Sequence, residues 1–266
     1  MNMYFHELKA LRKSTILWAL SFSAIVVVFL SLFPSISADA ADFKEMLASY
    51  PESVRKAVGL ELETFFSFLG YYSYTFVYIS LCGSVQAMNL GLSVLSKESR
   101  EKTADFLLTK PVKRSEIYTA KVMAALTSIA ATNVVYQAAA WLMASQVAEE
   151  GYNRMAFFQI SLILFFLQLI FLFLGLMLSV LIKRMKAVLT VSLGVTFGFF
   201  ILSMLIATGD GGEAKRFLTP FQYFDPLYTI SNGWYDTPYL AAGVIIVLFA
   251  FAASLYLYWR NDIHSV

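Results

Sequence analysis

Glu98, Arg100, Glu101, Lys102 and Asp105 fall within eight residues of an otherwise apolar chain. Both signs of charge recur at helical spacing, and Glu98 precedes Lys102 by four, the favourable order for an i, i+4 pair. Phe106, Leu107 and Leu108 follow, then Lys110-Pro111. Pro111 lacks an N–H and restrains Lys110, so a helix should stop near Thr109, and Ser115 is placed to cap the next one. Charges beside a short apolar face make no bond. Their chemistry is recognition: ion pairs and apolar anchors for a soluble partner. The same residues would also suit a solvated loop.

Bond-making chemistry is sparsely provided. The chain has one cysteine, Cys82, within an apolar run, and two histidines, His6 and His264, near opposite ends. That argues against a dedicated metal or haem site, and the expected metal ligands are none. No G-x-x-x-x-G-K-[ST] phosphate loop occurs, so any ATP hydrolysis must lie in another subunit. The turn Gly209-Asp210-Gly211-Gly212 is not half of an intramembrane protease, which would need a second embedded Asp.

These residues sit in a chain that a membrane must hold. Of 266 residues, 59% are hydrophobic and 14% charged, and the mean hydropathy is +0.66. Soluble domains are about 45–50% apolar and about 25% charged. A spanning helix needs about 20 apolar residues, and six runs qualify. They are Thr15–Ile36, Phe68–Leu95, Ile117–Val147, Met155–Ile182, Ala187–Thr208 and Tyr239–Trp259. The first has basic residues ahead of it and a small-x-small triplet at Ala38–Ala40, as a signal peptide does, but it is longer than a typical signal core and reads as a retained span. The runs lack the alternation of barrel strands. With both termini cytoplasmic, 14 of 20 basic residues and 6 of 18 acidic ones fall inside, which fits the positive-inside rule. The net charge of +2 points to no nucleic acid.

Met3, Phe5, Leu8 and Leu11 alternate with polar residues in a pattern that suits a surface helix over residues 1–13. Lys121 is expected as an interfacial anchor of the third span. An S-x-x-E pattern at Ser49–Glu52 predicts a helix start outside the membrane. Residues 209–238 hold Leu218-Thr-Pro-Phe-Gln-Tyr-Phe-Asp-Pro226, whose prolines and aromatic rings suit a bent element dipping into the interface. Inside the spans, Tyr78, Gln86, Asn133 and Gln137 could line a substrate route or simply bond helix to helix. Gly194 and Gly198, a small-xxx-small pair, would permit close helix contact, as at a dimer interface. No acid or base lies in the spans beyond their interfacial ends, which argues against a proton- or ion-coupled carrier acting alone.

The pattern Glu98-x4-Thr103-x-Asp105-Phe106-Leu107-Leu108-x-x-Pro111-Val112-x-Arg114 resembles the cytoplasmic loop of ABC-2 type transporter permeases. The segment at Leu218–Pro226 and the layout of the spans are similar too, so the resemblance covers the whole chain. Lys102 and Ala104 depart from it, standing where a small residue and a Leu are common. The resemblance implies one permease domain over 1–266, all-α and polytopic. It would have six transmembrane helices, an N-terminal amphipathic elbow helix, a cytoplasmic coupling helix within 96–116 between spans two and three, and a reentrant outer element before span six. It implies docking on an ATP-binding subunit, present in two copies, through Glu98, Arg100, Glu101, Thr103, Asp105, Phe106, Leu107, Pro111 and Arg114. ATP and Mg would bind that subunit, with no cofactor here. A second permease, identical or paralogous, would meet the fifth span. The setting would be a bacterial or archaeal plasma membrane, and the work export. A polytopic scaffold that recruits a cytoplasmic partner is the alternative. An intramembrane enzyme would need embedded nucleophiles or ligands that the sequence lacks.

Overall fold

The computed structural model describes residues 3–101, 114–148, 151–182, 187–209 and 213–260, with the side chains of 98–101 outside that description. Nine α-helices and two 3-10 turns make up the described residues, and no strand occurs among them. The helices are α1 (Met3–Ala38), α2 (Ala40–Ala48), α3 (Glu52–Ala57), α4 (Phe68–Glu101), α5 (Arg114–Val147), α6 (Arg154–Leu181), α7 (Val188–Thr208), α8 (Pro226–Asn232) and α9 (Thr237–Arg260). Six of them, α1, α4, α5, α6, α7 and α9, are long and apolar enough to cross a bilayer. The protein is thus an all-α polytopic membrane protein.

Lipid is as apolar as leucine, so burial alone does not drive these helices together; close packing and interhelical hydrogen bonds must. α4 and α6 are mostly buried and form the centre. Their crossing is made by glycine. A Cβ on Gly91 would lie 2.3 Å from the Leu172 carbonyl oxygen and 3.0 Å from Gly175 Cα, and one on Gly175 would lie 2.8 Å from the Met88 carbonyl oxygen. Higher up, a Cβ on Gly83 would strike the Leu164 side chain at 2.4 Å. Around this pair, α1 packs on α5, α7 on α4, and α9 on α6. α7 and α9 expose most of their surface.

Two expectations at the edges are corrected. Residues 3–13 are not a separate elbow but the first turns of α1. No Gly or Pro stands between Lys13 and the first span to break the helix. Ser49 does not start a helix either. It ends α2, its hydroxyl donating to the Met46 carbonyl at 2.6 Å, and the proline-restrained backbone at Pro51 starts α3 at Glu52. There Lys56 lies 2.6 Å from Glu52 and holds its carboxyl below the usual range.

At the end of the bundle away from the α4–α5 connection, residues 213–236 fold over α6 and α7. The Thr219 hydroxyl donates to the Phe199 carbonyl at 2.9 Å, and the Gln222 amide to that of Ser203 at 3.0 Å. Phe199 lies nine residues before Thr208, so the segment dips about 13 Å below the end of α7 at the usual helical rise. α8 closes on Gly233 in the left-handed region (φ 71°), and the Gly233 carbonyl accepts from Gln159 at 2.8 Å. Tyr235 donates to the Gln159 carbonyl, and burial pushes its phenol up to about 12.

Three outcomes follow. Gly91→Ala should cost about 1–3 kcal/mol, because the overpacked crossing must open. Gly194→Ala, with open space around it, should be neutral or stabilise by up to about 1 kcal/mol; thermal unfolding in detergent measures both. The folded Tyr235 phenol holds its proton more tightly than the unfolded one, whose ordinary value is 10. The stability of the cap that residues 213–236 form should therefore be level below pH 10 and fall as pH rises from 10 toward 12. Proteolysis within 213–236 should rise over that window, and Tyr235→Phe should reduce that step, the rest belonging to Tyr223, whose phenol is also pushed up by burial.

Candidate coupling base and interior polar network

α4 and α5 have 34 residues each, about 51 Å at the usual rise, against a hydrocarbon core of about 30 Å. Both therefore continue beyond the membrane without a break. Glu98, Arg100 and Glu101 form the last turn of α4, and Arg114 is the first residue of α5. Thr103, Asp105, Phe106, Leu107 and Pro111 lie outside the described residues, as does the expected helix stop near Thr109. Ser115 sits inside the first turn of α5, where its carbonyl accepts from Thr119 at 2.9 Å.

The base of these two helices is tied by Lys121. This residue is not an interfacial anchor; it is 1% exposed. Its stripe on α5 (Ile117, Lys121, Ala125, Ser128, Thr132) is the buried one, so the amine points inward. Nζ donates to the Val94 carbonyl at 2.7 Å, one turn before Glu98, and lies 3.7 Å from Glu7 Oε1 on α1. Glu7 is itself 9% exposed. Two more bonds hold α1 beside α5: the Tyr4 and Thr127 hydroxyls meet at 2.9 Å, and those of Thr15 and Ser128 at 2.6 Å. The only charges buried deep in the bundle among the described residues thus join three helices where the charged segment departs. The spacing of Lys121 four residues before Ala125 and seven before Ser128 was the signal for its burial.

The four residues expected along a route go to different places. Gln86 and Asn133 meet in the core. The Gln168 amide donates to Gln86 Oε1 at 2.7 Å, Asn133 donates to Gln168 Oε1, and Gln86 donates to Thr132 at 3.4 Å. This ladder joins α4, α5 and α6. Bonds of this kind are worth about 0.6 kcal/mol on average and under about 2. Beside it, the Tyr72 hydroxyl meets those of Tyr136 at 2.6 Å and Ser161 at 2.7 Å. Tyr78 instead faces α1, stacked on Phe29 with its hydroxyl 2.8 Å from that of Tyr74. Gln137 opens into a separate surface cavity between α5 and α6.

A polar seam between α4 and α7 escaped the sequence reading. Ser192, Thr196 and Ser203 are the buried residues along α7, together with Val188. Ser192 donates to the Val85 carbonyl at 3.2 Å. Ser84 Oγ and Thr196 Oγ1 are buried without a hydrogen-bond partner among the described residues. Toward the cap, the seam reaches a cavity of 110 Å³ bordered by Lys56, Ser80, Ser203 and Gln222. The recurrence of hydroxyls at 192, 196 and 203 on one helix face was the available signal. Gly194 and Gly198 lie on the other face, where an added Cβ would meet nothing within 4 Å, beside exposed Phe197, Ile201 and Leu205.

Among the described residues no three His, Cys, Asp or Glu gather to hold a metal. No curated protein matches the chain. A family model described as ABC-2 family transporter protein matches residues 1–263. With six spanning helices and a match over nearly its whole length, the chain belongs to the ABC-2 transporter family, as a membrane-spanning permease subunit of an ABC transporter.

Proposed function

We propose that this permease forms half the membrane domain of an exporter, in which two such chains, identical or paralogous, are coupled to two copies of a separate ATP-binding subunit. That subunit binds ATP and Mg and performs the hydrolysis. The assembly sits in a plasma membrane with both termini and residues 102–113 on the cytoplasmic side. One observation carries the reading: two unbroken helices of 34 residues lead to and from the charged segment and are joined at their base by Lys121. A push on the segment moves α4 and α5 as levers, and Glu7 passes the motion to α1. Family membership supports ATP-binding partners in general. The missing phosphate loop supports placing hydrolysis outside this chain.

Glu98, Arg100, Glu101, Thr103, Asp105, Phe106, Leu107, Pro111 and Arg114 make the docking surface. The exposed α7 face at Gly194 and Gly198 is offered to the second permease. The substrate route follows the hydroxyl seam of α4 and α7, because Gln86 and Asn133 are already bonded within the core.

Reversing Glu98 and Glu101 together to Lys should cut retention of the ATP-binding subunit at least tenfold, about 1.4 kcal/mol or more. Membrane insertion should be unchanged; wild-type retention would remove the docking assignment. Lys121→Met leaves Glu7 buried without this partner and should cost about 3–5 kcal/mol by thermal unfolding. The pair Glu7→Gln with Lys121→Met should recover part of that loss, and should restore stability more than it restores ATP-driven transport.

A further inference from the structure

The cavity that receives Gln137 has a chemistry that the transport reading does not use. It measures 390 Å³, within the about 300–1,000 Å³ usual for ligand sites. It opens between α5 and α6 on the perimeter of the bundle, at the end that carries the cap. Trp141, 59% exposed, and Phe158, 48% exposed, form outward-facing walls. Tyr152 stands beside them, and Ser161 closes the inner side, its hydroxyl already bonded to Tyr72.

Besides the Tyr152 phenol and the Trp141 indole N–H, two polar side chains remain. Arg154 is the first residue of α6, where the positive end of the helix disfavours a cation. Among the described residues no carboxylate pairs with it; Glu149 and Glu150 lie outside them. The helix end is satisfied separately, since the Asn153 side chain accepts from the Met155 and Ala156 N–H groups at 3.0 and 3.1 Å. Gln137 lies ten residues before the end of α5, about 15 Å down the helix, so its amide sits deeper than Arg154. The cavity thus presents a cation at its mouth, an amide further in and aromatic walls open to the bilayer at interfacial depth.

We propose that this cavity seats one phospholipid, its phosphate on Arg154, its ester carbonyls on Gln137 and an acyl chain along Trp141 and Phe158. The charge fits a phosphate, and an apolar opening on the perimeter of the spanning bundle fits lipid. The site is independent of the direction or substrate of transport.

The full chain should be reconstituted in phosphatidylcholine nanodiscs containing a phospholipid with a photoreactive group near its headgroup, and labelled positions read by mass spectrometry. Labelling in 137–161 should exceed labelling of the exposed face of α9 (Ile245, Leu248, Phe249) several-fold. Arg154→Gln should lower it at least fivefold, with the α9 signal unchanged as a control for folding, and Arg154→Lys should retain most of it. Equal labelling of 137–161 and α9, or no effect of Arg154→Gln, would reduce the cavity to ordinary boundary lipid. Suppression of labelling by millimolar inorganic phosphate would make it a free-anion site and overturn the lipid assignment.

Discussion

The Leu172 carbonyl occupies the space that a side chain on residue 91 would need. That exclusion sets how closely α4 approaches α6, and the bundle is arranged around the result. In lipid the two helices gain little from hiding apolar surface from each other; they gain from dispersion at short range and from polar groups brought within reach. At this separation Gln86 reaches Gln168, and Gln168 reaches Asn133 on α5. The glycines thus position the amides, and the amides fix the third helix.

The packed centre then supports two rigid projections. α4 and α5 leave it at one end, and their separation there is held by the Lys121 amine on the Val94 carbonyl with Glu7 beside it. A buried charge costs more than a surface ion pair, so it is weak evidence for stability. Its value here is geometric, since any shift of the α4 end relative to the α5 start must move a cation away from its acceptors. At the other end, the turns around Thr219 and Gln222 hold α7 by side-chain bonds to its carbonyls.

Length and composition made the six spans legible, because the bilayer sets helix length directly. The dip of residues 213–236 was legible in its prolines and aromatic rings. The tight crossing was not. Gly194 and Gly198 have the familiar spacing, yet they face outward, while Gly83, Ala87 and Gly91 form a longer small-residue row with the same period on a helix that looked merely polar. Spacing tells which residues share a face but not which face meets a neighbour. Lys121 was misread for a related reason: a cation near a span end normally snorkels to water, and only the presence of α1 and the α4 carbonyl beside it reverses that. The fate of Gln86, Asn133, Tyr78 and Gln137 depended on contacts between helices far apart in sequence, which no local pattern encodes.

The central claim is that this permease is driven by a separate ATP-binding subunit through the segment between α4 and α5. The most direct measurement is purification of the tagged chain from its own membrane in mild detergent, with mass spectrometry of every co-purifying chain and ATP hydrolysis followed in the same sample. The account predicts a stoichiometric soluble subunit carrying a phosphate loop, with vanadate-sensitive hydrolysis. A chain that purifies alone across several detergents, or with a partner that binds no nucleotide, would contradict it.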